Sequence, residues 1–124
     1  RDLDPAAHLA AGHALAALRD DGVLVLASGM SFHNMRGYGD ARFGPISDRF
    51  DAWLTETVRA PAAEREQRLR DWESAPEARA CHPPGGEEHF IPLLVAAGAA
   101  DGDEGERIYS ERVMETTLSA FRFG

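Results

Sequence analysis

The sequence predicts an α/β fold, a central and largely parallel sheet flanked by helices, forming part of a larger single domain. Three observations predict it. The apolar run Val23–Ala27, bounded by Gly22 and the polar turn Ser28-Gly29-Met30-Ser31, has the composition of a strand buried on both faces. Helical periodicity lies before and after that run, and the stretch Arg107–Gly124 is rich in β-formers. The chain has 124 residues, enough for one domain with a real core and short of what two usually need.

Asp4-Pro5 is a helix start: the carboxylate accepts from the first free N–H groups, and proline suits the first helical position. Leu9, Leu15 and Leu18 would bury one face, and Gly22 ends the helix. His8 and His13 are five residues apart, so they do not share a face as an HxxxH metal pair would. After the central run comes a glycine-rich loop, Gly37-Tyr38-Gly39 and Gly44, with Arg36, Arg42 and Phe43. It contains neither GxxxxGK[ST] nor GxGxxG, and a mobile loop over a site is the expected use. Pro45 starts a second helix with Ile46, Phe50, Trp53 and Leu54 at helical spacing. Pro61 opens a third, anchored by Leu69 and Trp72, with Glu64–Arg68 and Glu66–Arg70 on its solvated face. Ser74-Ala75-Pro76 begins a short helical turn ending near Cys81, and Pro92 places the last helix start near His89. The acidic segment Ala100–Glu106 lacks the ligand ladder of an EF-hand and reads as a solvated loop. One or two strands close the chain, with Thr117, Ser119, Phe121 and Phe123 on one face and Leu118, Ala120 and Arg122 on the other.

Composition excludes some functions. A net charge of −8 argues against a nucleic-acid groove, which needs clustered cations. All thirteen cationic side chains are Arg. No apolar run approaches the ~20 residues of a membrane span. A single cysteine, Cys81, rules out an internal disulfide framework and suits a reducing cytoplasm. Arg1–Asp20 does not read as a signal peptide, and the start at Arg1 without Met reads as a processed or truncated product.

Two stretches carry the chemistry. The first is the turn after Val23–Ala27, which presents His33 and Asn34 beyond the end of the expected central strand, where α/β proteins place ligands. Taken alone, His33 is explained equally well by a hydrogen bond within its own loop. The second is Cys81-His-Pro-Pro-Gly-Gly-Glu-Glu-His89 at a helix start. Acids there stabilise a helix in themselves. Two histidines and two acids within so short a span are also the ligand types of open Fe(II) or Zn(II) centres.

Together these stretches resemble a known family. Ser28–Asn34, Phe50-Asp-Ala-Trp53, Ala75-Pro76 with Ala78-Arg79, His82-Pro83 followed by Glu87-Glu-His89-Phe-Ile-Pro-Leu93, Ala96–Ala99 and the terminal Ser119-Ala-Phe-Arg-Phe-Gly124 are similar, in order, to the carboxy-terminal half of class III extradiol ring-cleavage dioxygenases, in the branch typified by 4,5-DOPA dioxygenase. The resemblance implies that residues 1–124 are the carboxy-terminal part of a catalytic domain. It implies a mononuclear non-haem metal site, Fe(II) in catalysis with Zn(II) possible, and a catechol-type ring opened with O2. His33 matches the family's active-site histidine, described as acid/base and near the metal. His89 matches the metal-ligating histidine of Glu-Glu-His, and His82 matches the His-Pro histidine that lines the pocket and binds a substrate oxygen. The resemblance therefore assigns His33 and His82 to catalysis, and His89 and His33 to the metal.

Two departures stand out. Family members are roughly double this length, and their amino-terminal half supplies further metal-binding histidines. Here Pro84-Gly-Gly86 separates His-Pro from Glu-Glu-His, two residues more than the family usually has. The chemistry accounts for the residue types, because Fe(II) must keep open positions for both catecholate oxygens and O2. A neighbouring histidine of near-neutral pKa can take the second catechol proton and return it to a leaving oxygen. The expected function is a non-haem extradiol dioxygenase. The alternatives are a metal- or small-ligand-binding protein of the same fold without turnover, and a half that works only with a complementary chain. An apolar sheet edge left open would pair with such a chain or with a second copy.

Overall fold

The computed structural model describes residues 3–124; Arg1, at which the start of the chain was read, and Asp2 lie outside the described residues. The helix starts lie where local chemistry puts them. In α1 (Pro5–Asp20) the Asp4 carboxylate accepts from the N–H groups of Ala6 and Ala7. Helix α2 (Phe43–Arg59) begins two residues before Pro45, since proline is tolerated throughout the first turn. Then follow α3 (Ala62–Arg70), α4 (Ala78–Cys81) and α5 (Ile91–Ala99), with Pro92 in the first turn of α5. Single 3₁₀ turns occupy Trp72–Ser74 and Glu87–His89.

Strands β1 (Gly105–Val113) and β2 (Thr116–Phe123) form an antiparallel hairpin. Its register runs Gly105 to Phe123 through Val113 to Thr116, with an irregularity between Arg107 and Tyr109. The two turn residues, Met114 and Glu115, both have positive φ, as the twist of a tight hairpin demands. Neither is glycine, and the carbonyls of both turn residues are held. Gly39 N–H donates to the Met114 carbonyl, and Arg112 donates to that of Glu115.

The expected central, largely parallel sheet is not formed. Among the described residues the hairpin is the entire sheet, and Val23–Ala27 belongs to no strand. The segment is extended, yet Leu24 and Leu26 are each 84% exposed. The physical reason is that a strand exists only through its neighbour's backbone. β1 and β2 satisfy each other, and among the described residues no strand pairs with Val23–Ala27. The apolar run was read as burial on two faces, but among the described residues only the Val25 and Ala27 face is half-covered.

The core lies instead among helices. Phe50, Leu54, Leu69, Trp72, Phe90 and Leu94 are buried together, and Phe32 joins them from the turn after the extended segment. Helix α1 crosses α5 at very close range. A Cβ at Gly98 would stand 2.3 Å from the Leu9 carbonyl oxygen, and one at Gly12 would stand 2.2 Å from that of Val95. Arg65, in α3, is only 1% exposed; it donates to the carbonyls of Asp101 and Asp103 and lies over the Phe123 ring. It thereby ties the acidic loop and the end of β2 to the helices. No helix among the described residues is long and apolar enough to cross a membrane.

Candidate metal centre

Two backbone contacts bring the distant chemical stretches together. Met30 N–H donates to the His89 carbonyl at 2.8 Å, and His33 N–H donates to the Cys81 carbonyl at 3.0 Å. The first needs glycine next door, because a Cβ at Gly29 would lie 2.2 Å from the His89 oxygen. The turn Ser28–His33 is therefore pressed against both ends of the Cys81–His89 stretch.

As a result the rings of His33 and His89 meet at a tilt, with centroids 3.7 Å apart and planes inclined by 34°. Glu88 joins them, its carboxylate 3.6 Å from His89 Nε2. One ligand atom from each of His33, Glu88 and His89 lies within 4.8 Å of the others. That is close to the ~3–4 Å kept by ligands that share one ion at ~2 Å. Nδ1 of His33 is buried without a hydrogen-bond partner, which fits an atom kept for a ligand or a proton. Two imidazoles and a carboxylate suit Fe(II) or Zn(II), so the residues present fit the metal that the resemblance implies.

His82 sits differently. It is fully buried in a box of Phe50, Trp72 and Phe90. Its Nε2 is 3.0 Å from the Ser31 carbonyl, which can only accept, so Nε2 carries the proton. Nδ1 has no partner. Burial pushes the imidazole down to about 4, so the ring is neutral and holds the Ser31 end of the turn. Ser31 also accepts, through Oγ, from Ser119 N–H of β2. Beside it Cys81 is buried and free, and burial pushes its thiol up to about 12, leaving it unreactive.

The adjacent acids Glu87 and Glu88 diverge. Glu87 turns inward, where burial opposes its charge. Hydrogen bonds from Arg79 and from Gly85 N–H outweigh that cost and hold it below the usual carboxylate range. Glu88 stays half-exposed beside His89. Sequence reasoning offered both acids as ligand types but named neither as a ligand, so Glu88 was not singled out. Which of two neighbouring acids faces the histidines depends on where Arg79 sits, and that the sequence does not show.

A groove of about 490 Å³ opens beside His89, lined largely by apolar side chains that include Leu26, Leu93, Ile108 and Phe121. A second, of about 480 Å³, lies across the extended segment and includes Glu88, Ile91 and Val95.

Similarity to known proteins assigns the chain to a class of aromatic ring-opening dioxygenases. Residues 3–122 match the family described as the catalytic LigB subunit of aromatic ring-opening dioxygenase, and the chain belongs to it. The family is that of the class III extradiol dioxygenases. Among its relatives is dioxygenase tasH of Hapsidospora irregularis, 35% identical over 98% of this chain and 40% of that protein. The 4,5-DOPA dioxygenase extradiol of Beta vulgaris is 37% identical over 79% of this chain and 36% of its own length. The protein of the same name from Escherichia coli K12 is 32% identical over 93% of this chain and 43% of that one. A crystal structure of an uncharacterized protein from Escherichia coli K12 superposes with a TM-score of 0.70 at 26% identity, covering 94% of this chain and 49% of that one. The chain thus spans less than half the length of these relatives.

Proposed function

We propose that this chain is the metal-holding part of an extradiol dioxygenase that opens a catechol-type ring with O2, using Fe(II) at a site that Zn(II) can also occupy. The observation that carries this reading is the meeting of His33, Glu88 and His89 in a chain of this family. Fe(II) bound there would bring the catecholate and O2 together at its open positions.

The chain's own residues do the rest. Glu88 and His89 hold the ion from the Glu87–His89 turn, and His33 reaches it from the facing loop. An imidazole lone pair serves one task at a time: where His33 stands beside the ion and not on it, its ring would take the second catechol proton and return it to the leaving oxygen. The groove of about 490 Å³ beside His89 falls within the size range of small-ligand sites, and its apolar walls would shield an aromatic ring from water. His82, fully buried, acts in this reading by holding the turn that aims His33.

The relatives' additional length supports a further element of the reading. The exposed apolar side chains of Leu24 and Leu26 form a seat for the remaining polypeptide, which would add ligands to the site. The single buried thiol accords with a cytoplasmic protein.

The test is anaerobic Fe(II) loading followed by O2 uptake with a panel of catechols. It is run on this 124-residue chain and on a form of the relatives' length. The longer form should turn over, and the shorter should be weak or silent. His89→Ala should lose metal and uptake together. His33→Ala should lose ~10²–10⁴ in rate while keeping more of its metal. A metal-loaded long form with no uptake on any catechol would refute the dioxygenase reading. Equal metal loss in the two variants would make His33 a ligand first.

A further inference from the structure

Arg79 occupies an unusual position for a surface arginine. It projects from α4, the short helix immediately before His82, and lies over the Trp72 ring at 4.9 Å. Its guanidinium spans two carboxylates. One contact is with Glu73, at 2.7 Å, and the other is with Glu87, at 2.5 Å. The two carboxylates differ in kind. Glu73 sits on the preceding 3₁₀ turn with its side chain 59% exposed, whereas the Glu87 side chain is 14% exposed. The other Glu87 oxygen accepts from Gly85 N–H at 2.8 Å, so both oxygens of that carboxylate are engaged.

The segment between has few side-chain anchors, although Gly86 N–H closes a turn on the Pro83 carbonyl at 2.9 Å. Pro83 to Gly86 contains two adjacent glycines, one of them in the left-handed region with nothing near it. A glycine-containing loop of this kind leaves the following residues many orientations. Glu88 and His89 come directly after the pinned carboxylate, and the Glu87–His89 turn is a single 3₁₀ turn with no side-chain cap. The Glu87 contacts hold its entry, and Met30 N–H holds its far end through the His89 carbonyl.

We propose that the Arg79–Glu87 pair is a positioning brace. Anchored on the Trp72 face, it spans the glycine loop and holds Glu88 and His89 at the orientation in which they meet His33. Arg79 is then a positioning residue for the metal site and touches neither ion nor substrate. The inference rests on the reading of His33, Glu88 and His89 as ligands. It assigns unequal roles to two adjacent acids: Glu87 as brace, Glu88 as ligand.

The distinguishing comparison lies within Arg79's own contacts. If the arginine served stability alone, losing Glu87 would lower the melting temperature, more than losing the exposed Glu73 would, and leave Zn(II) affinity unchanged. A brace makes the loss of Glu87, and not that of Glu73, felt at the metal. Partners that orient metal ligands typically change affinity by ~10–100-fold when removed.

The experiment uses the full chain, stripped of metal and titrated with Zn(II) against a chromophoric chelator, with the melting temperature of each metal-free variant recorded alongside. Glu87→Gln should weaken Zn(II) binding about tenfold or more, and Glu73→Gln should leave it within about twofold. Arg79→Lys keeps the charge but loses the planar fork, so it should fall between the two. It also keeps the question open to measurement should Glu87→Gln fail to fold. His89→Ala sets the floor. Equal small effects of Glu87→Gln and Glu73→Gln, with His89→Ala still losing Zn(II), would overturn the brace and leave the metal site standing. Zn(II) binding untouched by His89→Ala would overturn the metal site and the brace with it.

Discussion

Lowering the pH from about 7 to about 5 should cost the folded chain about 2 kcal/mol through His82 alone. The cause is visible in the fold. The ring is sealed among Phe50, Trp72 and Phe90, its Nε2–H is given to the Ser31 carbonyl, and Nδ1 faces no acceptor. A second proton would put a charge and an unmet donor in the core, so burial holds the imidazole at about 4 against an ordinary 6.5. Between those values the unfolded chain binds the proton and the folded chain does not. Stability is therefore complete above the unfolded value and is lost as the pH falls toward the folded one. The whole shift corresponds to roughly 3 kcal/mol, of which about 2 is spent by about pH 5. The assay is urea denaturation of metal-free protein at both pH values, for the wild-type chain and His82→Phe. The variant fits the aromatic box but leaves the Ser31 carbonyl without its donor, so it should start ~1–2 kcal/mol less stable. Its loss between the two pH values should be smaller than the parent's by about 2 kcal/mol. An unchanged pH dependence in His82→Phe would refute the reasoning, because some other group would then carry it.

Two further outcomes follow from backbone contacts. Gly98→Ala places a methyl 2.3 Å from the Leu9 carbonyl, where neither helix backbone can yield cheaply. Despite alanine's helix propensity it should destabilise by about 2–3 kcal/mol in denaturant melts, against about 1 for Gly22→Ala, which meets only an unfavourable φ. Gly29→Ala would drive the turn off the His89 carbonyl and break the Met30 contact. Zn(II) titration should show about a tenfold loss of affinity with a smaller change in melting temperature, since Gly29 itself is exposed.

Some of this protein was legible in the sequence because its causes are local. Asp4-Pro5, Pro61 and Pro92 mark helix starts through the N–H groups they cap or lack. The β-rich end folds back on itself as a hairpin for which the chain supplies both partners. The ordered motifs that carry the family resemblance, and His33 and His89 within them, could likewise be read residue by residue. Whatever needed a distant partner was settled only in three dimensions. Val23–Ala27 has the composition of a buried strand, but burial depends on what lies against it, and here Val25 and Ala27 are only half-covered while Leu24 and Leu26 stay exposed. His82 looks like a pocket residue in a His-Pro motif, yet three aromatic rings from separate segments enclose it completely. Glu87 and Glu88 are identical in the sequence, and Arg79 makes one a brace and leaves the other beside His89. Local chemistry determines where each element begins and which donor groups are present. The tertiary structure decides which of them face one another, because that depends on contacts between residues far apart in the chain.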